Sequence, residues 1–145
     1  MKLRVALVSA VALVGAAVFA WAQTDDEVEA HRQALDLTGA YTNDGFKLRD
    51  GHWAGKIKPA ERAVIAVNLY AGNQYWFSVA AANDKAKKVA VDIYDEVGKP
   101  MTSENYNEGE RASAGFSPVN SGQYFVAVSL VEGDPSTICL VYSYK

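Results

Sequence analysis

Apolar and polar residues alternate with a period of two along most of the chain, and this pattern constrains the fold more than any other feature. Five segments carry it, and they are rich in β-branched and aromatic residues: 63–69, 75–81, 89–93, 124–130 and 138–144. Successive side chains of a strand point to opposite faces, so alternation of this kind is typical of strands with one buried face. The segments are therefore predicted to be strands.

Turn-forming residues separate the five segments, at 71–73, 83–85, 95–98, 120–122 and 132–135. Shorter strand candidates cover 45–48, 53–58 and 111–116, and the turn at 95–98 is predicted to lead into a short hairpin strand at 99–102. No long helical pattern lies between strands, which disfavours a parallel α/β sheet. The prediction is an all-β fold, an antiparallel β-sandwich or jelly roll of about eight strands with a short N-terminal helix.

The helix is predicted from its N-terminal signals. Thr24 with Glu27 three residues later fits a capping box, and Asp25 and Asp26 suit the positive end of a helix dipole. The apolar stripe that follows is weak. We expect a helix over residues 25–37 and a polar connection over 38–44.

The first residues predict export. Lys2 and Arg4 precede an uncharged apolar run over residues 5–20, and the run ends in the small-x-small triplet Ala20-Trp21-Ala22. This order is that of a signal peptide. A membrane anchor is the alternative, but a spanning helix needs about 20 apolar residues and this run is shorter.

Cleavage after Ala22 divides the chain into a signal peptide (1–22), an N-terminal helix with its connection (23–44) and a β-sandwich domain (45–145). The predicted location is the periplasm or the exterior of the cell, with no membrane span after cleavage. The mature chain keeps 12 basic and 17 acidic residues. Net negative charge argues against a nucleic-acid partner or an anionic membrane surface.

Cysteine usage excludes an internal disulfide, because Cys139 is the only cysteine. Its apolar neighbours Ile138 and Leu140 place it on a predicted strand. A small buried thiol is the expected role, and pairing between chains is the alternative.

Three sequence stretches resemble the bacterial pre-peptidase C-terminal domain, a secreted β-sandwich often appended to extracellular proteases. LYAGNQYWF at 69–77 is similar to its strand, glycine turn and aromatic strand. DIYDEVG at 92–98 is similar to its acidic strand and turn, and SGQYFVAV at 121–128 to its closing strand. The resemblance spans about residues 53–144. It implies a β-sandwich accessory module and brings no catalytic residues.

The residues themselves also argue against catalysis. The chain has no Gly-x-Ser-x-Gly nucleophile elbow and no glycine-rich phosphate loop. His31 and His52 are its only histidines, and packing or surface positions explain both better than a role as a base. The protein is predicted not to be an enzyme and to need no cofactor.

Calcium is the one metal that the sequence suggests. Carboxylates that surround the turns on either side of one predicted strand form the candidate site: Asp84, Asp92, Asp95 and Glu96. Calcium takes six to eight oxygen ligands, often from such loops. The alternative is that turns favour Asp and Asn for backbone reasons.

Four aromatic residues are the candidate ligand-binding residues: Trp53, Tyr70, Trp76 and Tyr94. They fall on or near the polar sides of their strands, where an aromatic ring can stack on a sugar or form a protein interface. If Trp76 and Tyr94 share one outer face, they form a platform. The alternative is packing against the N-terminal helix or a cross-strand neighbour.

The sequence thus predicts an exported, non-catalytic binding or accessory module of the cell envelope, whose partner is a protein or a glycan. A calcium-binding or purely structural envelope protein is the alternative, and a hydrolase is less expected.

Overall fold

The structure is a computed structural model that describes residues 24–145. The predicted signal peptide at 1–22 lies outside the described residues. Within 24–145, no helix is both long and apolar enough to cross a membrane.

One helix and nine strands make up the described part of the chain. The helix α1 spans Asp25–Asn43. The strands are β1 (Lys47–Leu48), β2 (Trp53–Ile57), β3 (Arg62–Leu69), β4 (Tyr75–Ala81), β5 (Ala86–Tyr94), β6 (Glu104–Glu108), β7 (Arg111–Phe116), β8 (Gly122–Gly133) and β9 (Ser136–Tyr144).

The strands form two antiparallel sheets. The larger has the order β1-β9-β4-β7-β6, with β2 next to β1 along the same side of β9. The smaller has the order β3-β8-β5. The predicted antiparallel β-sandwich is therefore confirmed.

The main core lies between the two sheets, and it uses the side chains that the alternation predicted to face inward. Its fully buried members include Leu69, Phe77, Val89, Val126 and Ile138. Each inward side chain alternates with an outward one, which is why the period of two identified the buried face correctly.

Helix α1 covers the outer face of the larger sheet. Its start is as predicted, since the Thr24 hydroxyl accepts a hydrogen bond from the Glu27 backbone N–H at 3.1 Å. The predicted end at residue 37 is wrong, because the helix continues to Asn43. Thr38 is buried and its hydroxyl donates to the Leu35 carbonyl at 2.6 Å, so its polar group is satisfied inside the helix.

Small side chains let the helix approach the sheet closely. Ala30, Ala34 and Thr38 recur every four residues and are its buried residues. They form one row along the helix. The two alanines pack in a second cluster with residues of the sheet's outer face: Ala80, Ala82, Cys139 and Val141. Both faces of β4 are therefore buried.

Two short strands differ from the prediction. Residues 99–102 form no strand, although Pro100 makes one isolated bridge with Tyr94. The strand β6 was missed because its sequence, ENYNE, has no apolar alternation and all five residues are exposed at the sheet edge.

Candidate functional site

An open cleft of about 180 Å³ lies on the side of the sandwich where β3 of the smaller sheet faces β2 and β9 of the larger one. The residues that line it are Asp50, Gly51, His52, Trp53, Ile65, Ala66, Val67, Leu140 and Tyr142. We call it the Trp53 cleft. Its lining combines an apolar floor, two aromatic rings and two ionisable side chains.

A three-residue excursion of the chain opens the cleft. The Arg49 N–H still donates to the Tyr142 carbonyl of β9 at 2.9 Å, and Trp53 pairs again with Leu140. The residues between them, 50–52, leave the sheet through Gly51, whose φ of 89° favours glycine. This break between β1 and β2 leaves the inward side chains of β9 accessible from the side of the sandwich.

Trp53 forms one wall because of a glycine two residues later. Trp53 and Gly55 lie on the same face of β2, and a Cβ at Gly55 would lie 2.7 Å from a ring atom of Trp53. Only glycine gives the indole room to lie along the strand. The ring packs against the main core while part of it stays exposed.

Tyr142 forms the second aromatic surface and links the cleft to the core. The centroid of the Tyr142 ring is 5.0 Å from that of the Phe77 ring. The guanidinium carbon of Arg49 lies 5.5 Å from the centroid of the Tyr142 ring. Burial raises the pKa of Tyr142, and the nearby Arg49 opposes that rise. The phenol therefore stays neutral, able to donate a hydrogen bond.

His52 connects the cleft to the helix. Its ring stacks on that of His31, with centroids 3.8 Å apart and planes 18° apart. Burial lowers the pKa of His31, and the charge of His52 lowers it further. The two histidines pack on each other.

The four predicted aromatic residues lie in four different places. Trp53 alone lines the cleft. Trp76 lies on the outer face of the larger sheet, where Tyr41 of α1 stacks on it at 4.5 Å. Tyr94 lies on the outer face of the smaller sheet, and its hydroxyl accepts a hydrogen bond from Arg62 at 3.2 Å. Tyr70 is exposed in the β3–β4 turn.

The condition for a platform, that Trp76 and Tyr94 share one outer face, is not met. The two residues belong to different sheets, whose outer faces point in opposite directions. Packing against the N-terminal helix, the stated alternative, describes Trp76.

The acidic residues predicted to bind calcium are also divided. Asp84 precedes β5 and Asp95 follows it. A nine-residue strand is about 30 Å long, so these two carboxylates are too far apart to share an ion. Asp95 Oδ1 accepts hydrogen bonds from the backbone of Val97 and Lys99, at 3.1 and 2.8 Å.

Within residues 24–145, no three His, Cys, Asp or Glu side chains are grouped to hold a metal ion. Asp95 and Glu96 share one turn, and Asp92 lies near it among the last residues of β5. These three are the predicted calcium ligands that stay close in the chain once Asp84 is set aside. Of the two explanations given from the sequence, the hydrogen bonds of Asp95 fit the stabilisation of the turn backbone, and calcium is the alternative to be tested.

Positive charge is concentrated beside the Trp53 cleft. Residues 47–62, which include β1 and β2 and reach the first residue of β3, contain five basic and two acidic residues. The five basic residues are all exposed: Lys47, Arg49, Lys56, Lys58 and Arg62. The described chain as a whole is net negative, so this side differs in sign from the rest.

Sequence reasoning missed most of the cleft. The Asp50-Gly51-His52 tripeptide is typical of a turn and stands directly before Trp53. The excess of basic residues around it can also be counted in the sequence. Tyr142 and the edge of β3 carry no such signal, because their place depends on which strands become neighbours.

No family model matches the chain. No curated protein matches it either. Among solved structures, the pre-peptidase C-terminal domain of collagenase from Bacillus anthracis is similar, with a TM-score of 0.50, 16% identity, and coverage of 63% of this chain and 87% of that one. The fold is pre-peptidase C-terminal-like. This confirms the resemblance at the level of the fold.

Two further solved structures are similar over comparable lengths. PliG of Aeromonas hydrophila, a periplasmic inhibitor of g-type lysozyme, has a TM-score of 0.48 at 11% identity, covering 66% of this chain and 85% of that one. A CBM4 structure has a TM-score of 0.41 at 18% identity, covering 73% of this chain and 83% of that one.

Proposed function

We propose that the protein is a non-catalytic binding module of the cell envelope and that the Trp53 cleft is its binding site. One observation carries the proposal. The cleft brings a predicted ligand-binding aromatic residue, a second aromatic ring and two ionisable side chains around open apolar space. Binding sites in proteins commonly combine an apolar surface with a few polar groups in this way.

The nucleophile and base candidates support a non-catalytic role. Cys139 is fully buried, and burial raises the pKa of its thiol to about 12, so the reactive thiolate is absent at neutral pH. His31 and His52 stack on each other. Burial is the cause of the raised pKa of Cys139, with no contribution from either histidine.

The proposed location rests on the signal peptide pattern at residues 1–22. We propose the periplasm or the cell exterior.

The size of the cleft limits what enters it. Its volume of about 180 Å³ is below the roughly 300–1,000 Å³ of pockets that enclose drug-sized ligands. One side chain of a protein or one ring of a glycan fits this space. The partner is therefore recognised through a small projecting group, with further contacts outside the cleft.

Substituting Trp53 tests the site. The full-length chain is screened against peptide and glycan arrays, and each hit is measured again with Trp53→Ala. We expect binding to weaken at least about five-fold, because loss of one stacked ring removes a contact worth roughly 1–3 kcal/mol.

Tyr70→Ala is the matched control, since Tyr70 is an exposed aromatic residue outside the cleft. It should leave binding unchanged. Circular dichroism checks that both variants are folded. Hits that bind the Trp53 variant as tightly as the parent would place the site elsewhere.

A further inference from the structure

The wall of the Trp53 cleft formed by β3 is an unpaired strand edge. Among the described residues, β3 pairs with β8 and with no other strand, so it ends the smaller sheet on this side. Three consecutive residues of β3, Ile65–Val67, line the cleft. The backbone of the edge, and not only its side chains, therefore borders the open space.

An edge of this kind has free hydrogen-bonding capacity. In an antiparallel pair, every second residue directs its N–H and C=O toward the partner strand, and the residues between direct theirs away. Across the eight residues of β3, about half of the backbone groups thus face away from β8. Such groups accept an added strand.

The edge of β3 also lacks the usual protection against pairing. Proteins commonly protect edge strands with charge, proline or short length. The outer edge of the larger sheet, β6, is five residues long and has a glutamate at each end. β3 is eight residues long, and its interior from Ala63 to Val67 is entirely apolar.

We propose that an extended, acidic polypeptide segment binds by adding to β3 as a fourth strand of the smaller sheet. This inference rests on the proposed function, because it names the partner of the Trp53 cleft. Alternate side chains of the added strand point between the two sheets. One of these apolar side chains enters the cleft and contacts Trp53 and Tyr142.

The charge distribution specifies an acidic partner. Arg62 lies at the start of β3 on its outer face, and Lys56 and Lys58 lie in and just after the neighbouring strand β2. The guanidinium of Arg62 lies over the Tyr94 ring, and Lys56 alternates with the inward residues Gly55 and Ile57, so neither cation faces the outward side of the added strand. Residues 47–62 nevertheless carry five basic and two acidic side chains, and this net positive charge attracts an acidic segment to this side of the sandwich. The attraction weakens as salt is added.

A pair of modified peptides tests strand addition directly. The parent probe is a capped eight-residue peptide in which Glu and Val alternate. One derivative carries N-methyl groups on the valine nitrogens and the other on the glutamate nitrogens. Because only alternate N–H groups of the peptide face β3, one derivative should bind at least about ten-fold more weakly and the other like the parent.

Charge-reversed variants test whether the net positive charge of residues 47–62 attracts the segment. Lys56→Glu combined with Lys58→Glu should weaken binding of the parent peptide at least about ten-fold at low salt. Lys85→Glu combined with Lys87→Glu is the matched control, with the same change in net charge at exposed residues before and within β5. The control should bind like the parent protein.

The outcomes separate this inference from the proposed function. Equal binding of both N-methyl derivatives, or binding only of an acidic polysaccharide such as polygalacturonate, would overturn strand addition. If that binding still depends on Trp53, the cleft remains the binding site. Absence of any Trp53-dependent binding to peptides or glycans would overturn both.

Discussion

The contact between Trp76 and Gly115 shows how strongly one residue can depend on its neighbour's lack of a side chain. Gly115 on β7 pairs with Trp76 on β4, and a Cβ at Gly115 would lie 2.8 Å from a ring atom of Trp76. That distance is far inside van der Waals contact. The indole is also stacked on Tyr41 of the helix, so it has little room to move away.

Gly115→Ala should therefore lower the free energy of unfolding by about 1–3 kcal/mol, the usual effect of overpacking. Urea unfolding measures the change. Gly39→Ala is the control, since a Cβ at this helical position meets no atom within 4 Å. The control should be stabilising by up to about 1 kcal/mol. Equal stability of Gly115→Ala and the parent would mean that the ring moves freely.

At the scale of elements, the position of α1 is set by its row of small residues. Ala34 is fully buried against the sheet, whereas Ala40 on the same helix is exposed. A larger side chain has no space at the first position and full space at the second. These small side chains therefore set the distance between the helix and the sheet.

Ala34→Leu is expected to lower the free energy of unfolding by about 1–3 kcal/mol, because the helix must move outward or the leucine must adopt a strained rotamer. Ala40→Leu should change stability by less than about 0.5 kcal/mol. Chemical denaturation of the two variants gives the comparison. A neutral Ala34→Leu would contradict close packing of the helix on the sheet.

The stacked histidines that join α1 to the cleft predict a pH dependence of stability. The pKa of His31 in the folded protein is lower than its ordinary value of 6.5. As the pH falls below 6.5, the unfolded chain binds a proton that the folded protein resists. The contribution of His31 to stability is therefore complete above this pH and is lost as the pH falls through its folded pKa.

His31→Gln should reduce the loss of stability between pH 7.5 and pH 5, because this titration is removed while the other groups remain. Thermal unfolding of parent and variant at each pH gives the difference. Identical pH profiles would show that His31 titrates alike in the folded and unfolded states.

At the scale of the whole molecule, the acidic turns lie at opposite ends of the sandwich. Asp84 lies near one end of β5, and Asp95 and Glu96 lie near the other. In addition, Asp95 already accepts two backbone hydrogen bonds within its own turn. This arrangement stabilises the turn without a metal.

We expect the melting temperature to be the same with calcium and with EDTA. A ligand present at 100 times its dissociation constant adds about 2.7 kcal/mol, which raises the melting temperature of a domain of this size by several degrees. A rise of that size with calcium would contradict the expectation and assign the ion to the turn at Asp95 and Glu96.

The alternation of side chains made much of the fold predictable. The five long segments, their buried faces and the antiparallel sandwich follow from local residue order, because a strand has only two faces and burial selects one. The end of α1 and strand β6 were not predictable in this way. Thr38 reads as polar but is buried by the sheet, and ENYNE pairs through its backbone alone.

The candidate site, like the fold, was predictable from the sequence only in part. The sequence by itself determined which side chains face inward, where the turns fall, and that Trp53 belongs to the candidate ligand-binding residues. The tertiary structure decided that Trp53 lies beside Tyr142 and the free edge of β3, and that Trp76 and Tyr94 lie on opposite outer faces. The physical reason is that periodicity records the face of each strand, whereas strand order depends on contacts between residues far apart in the chain.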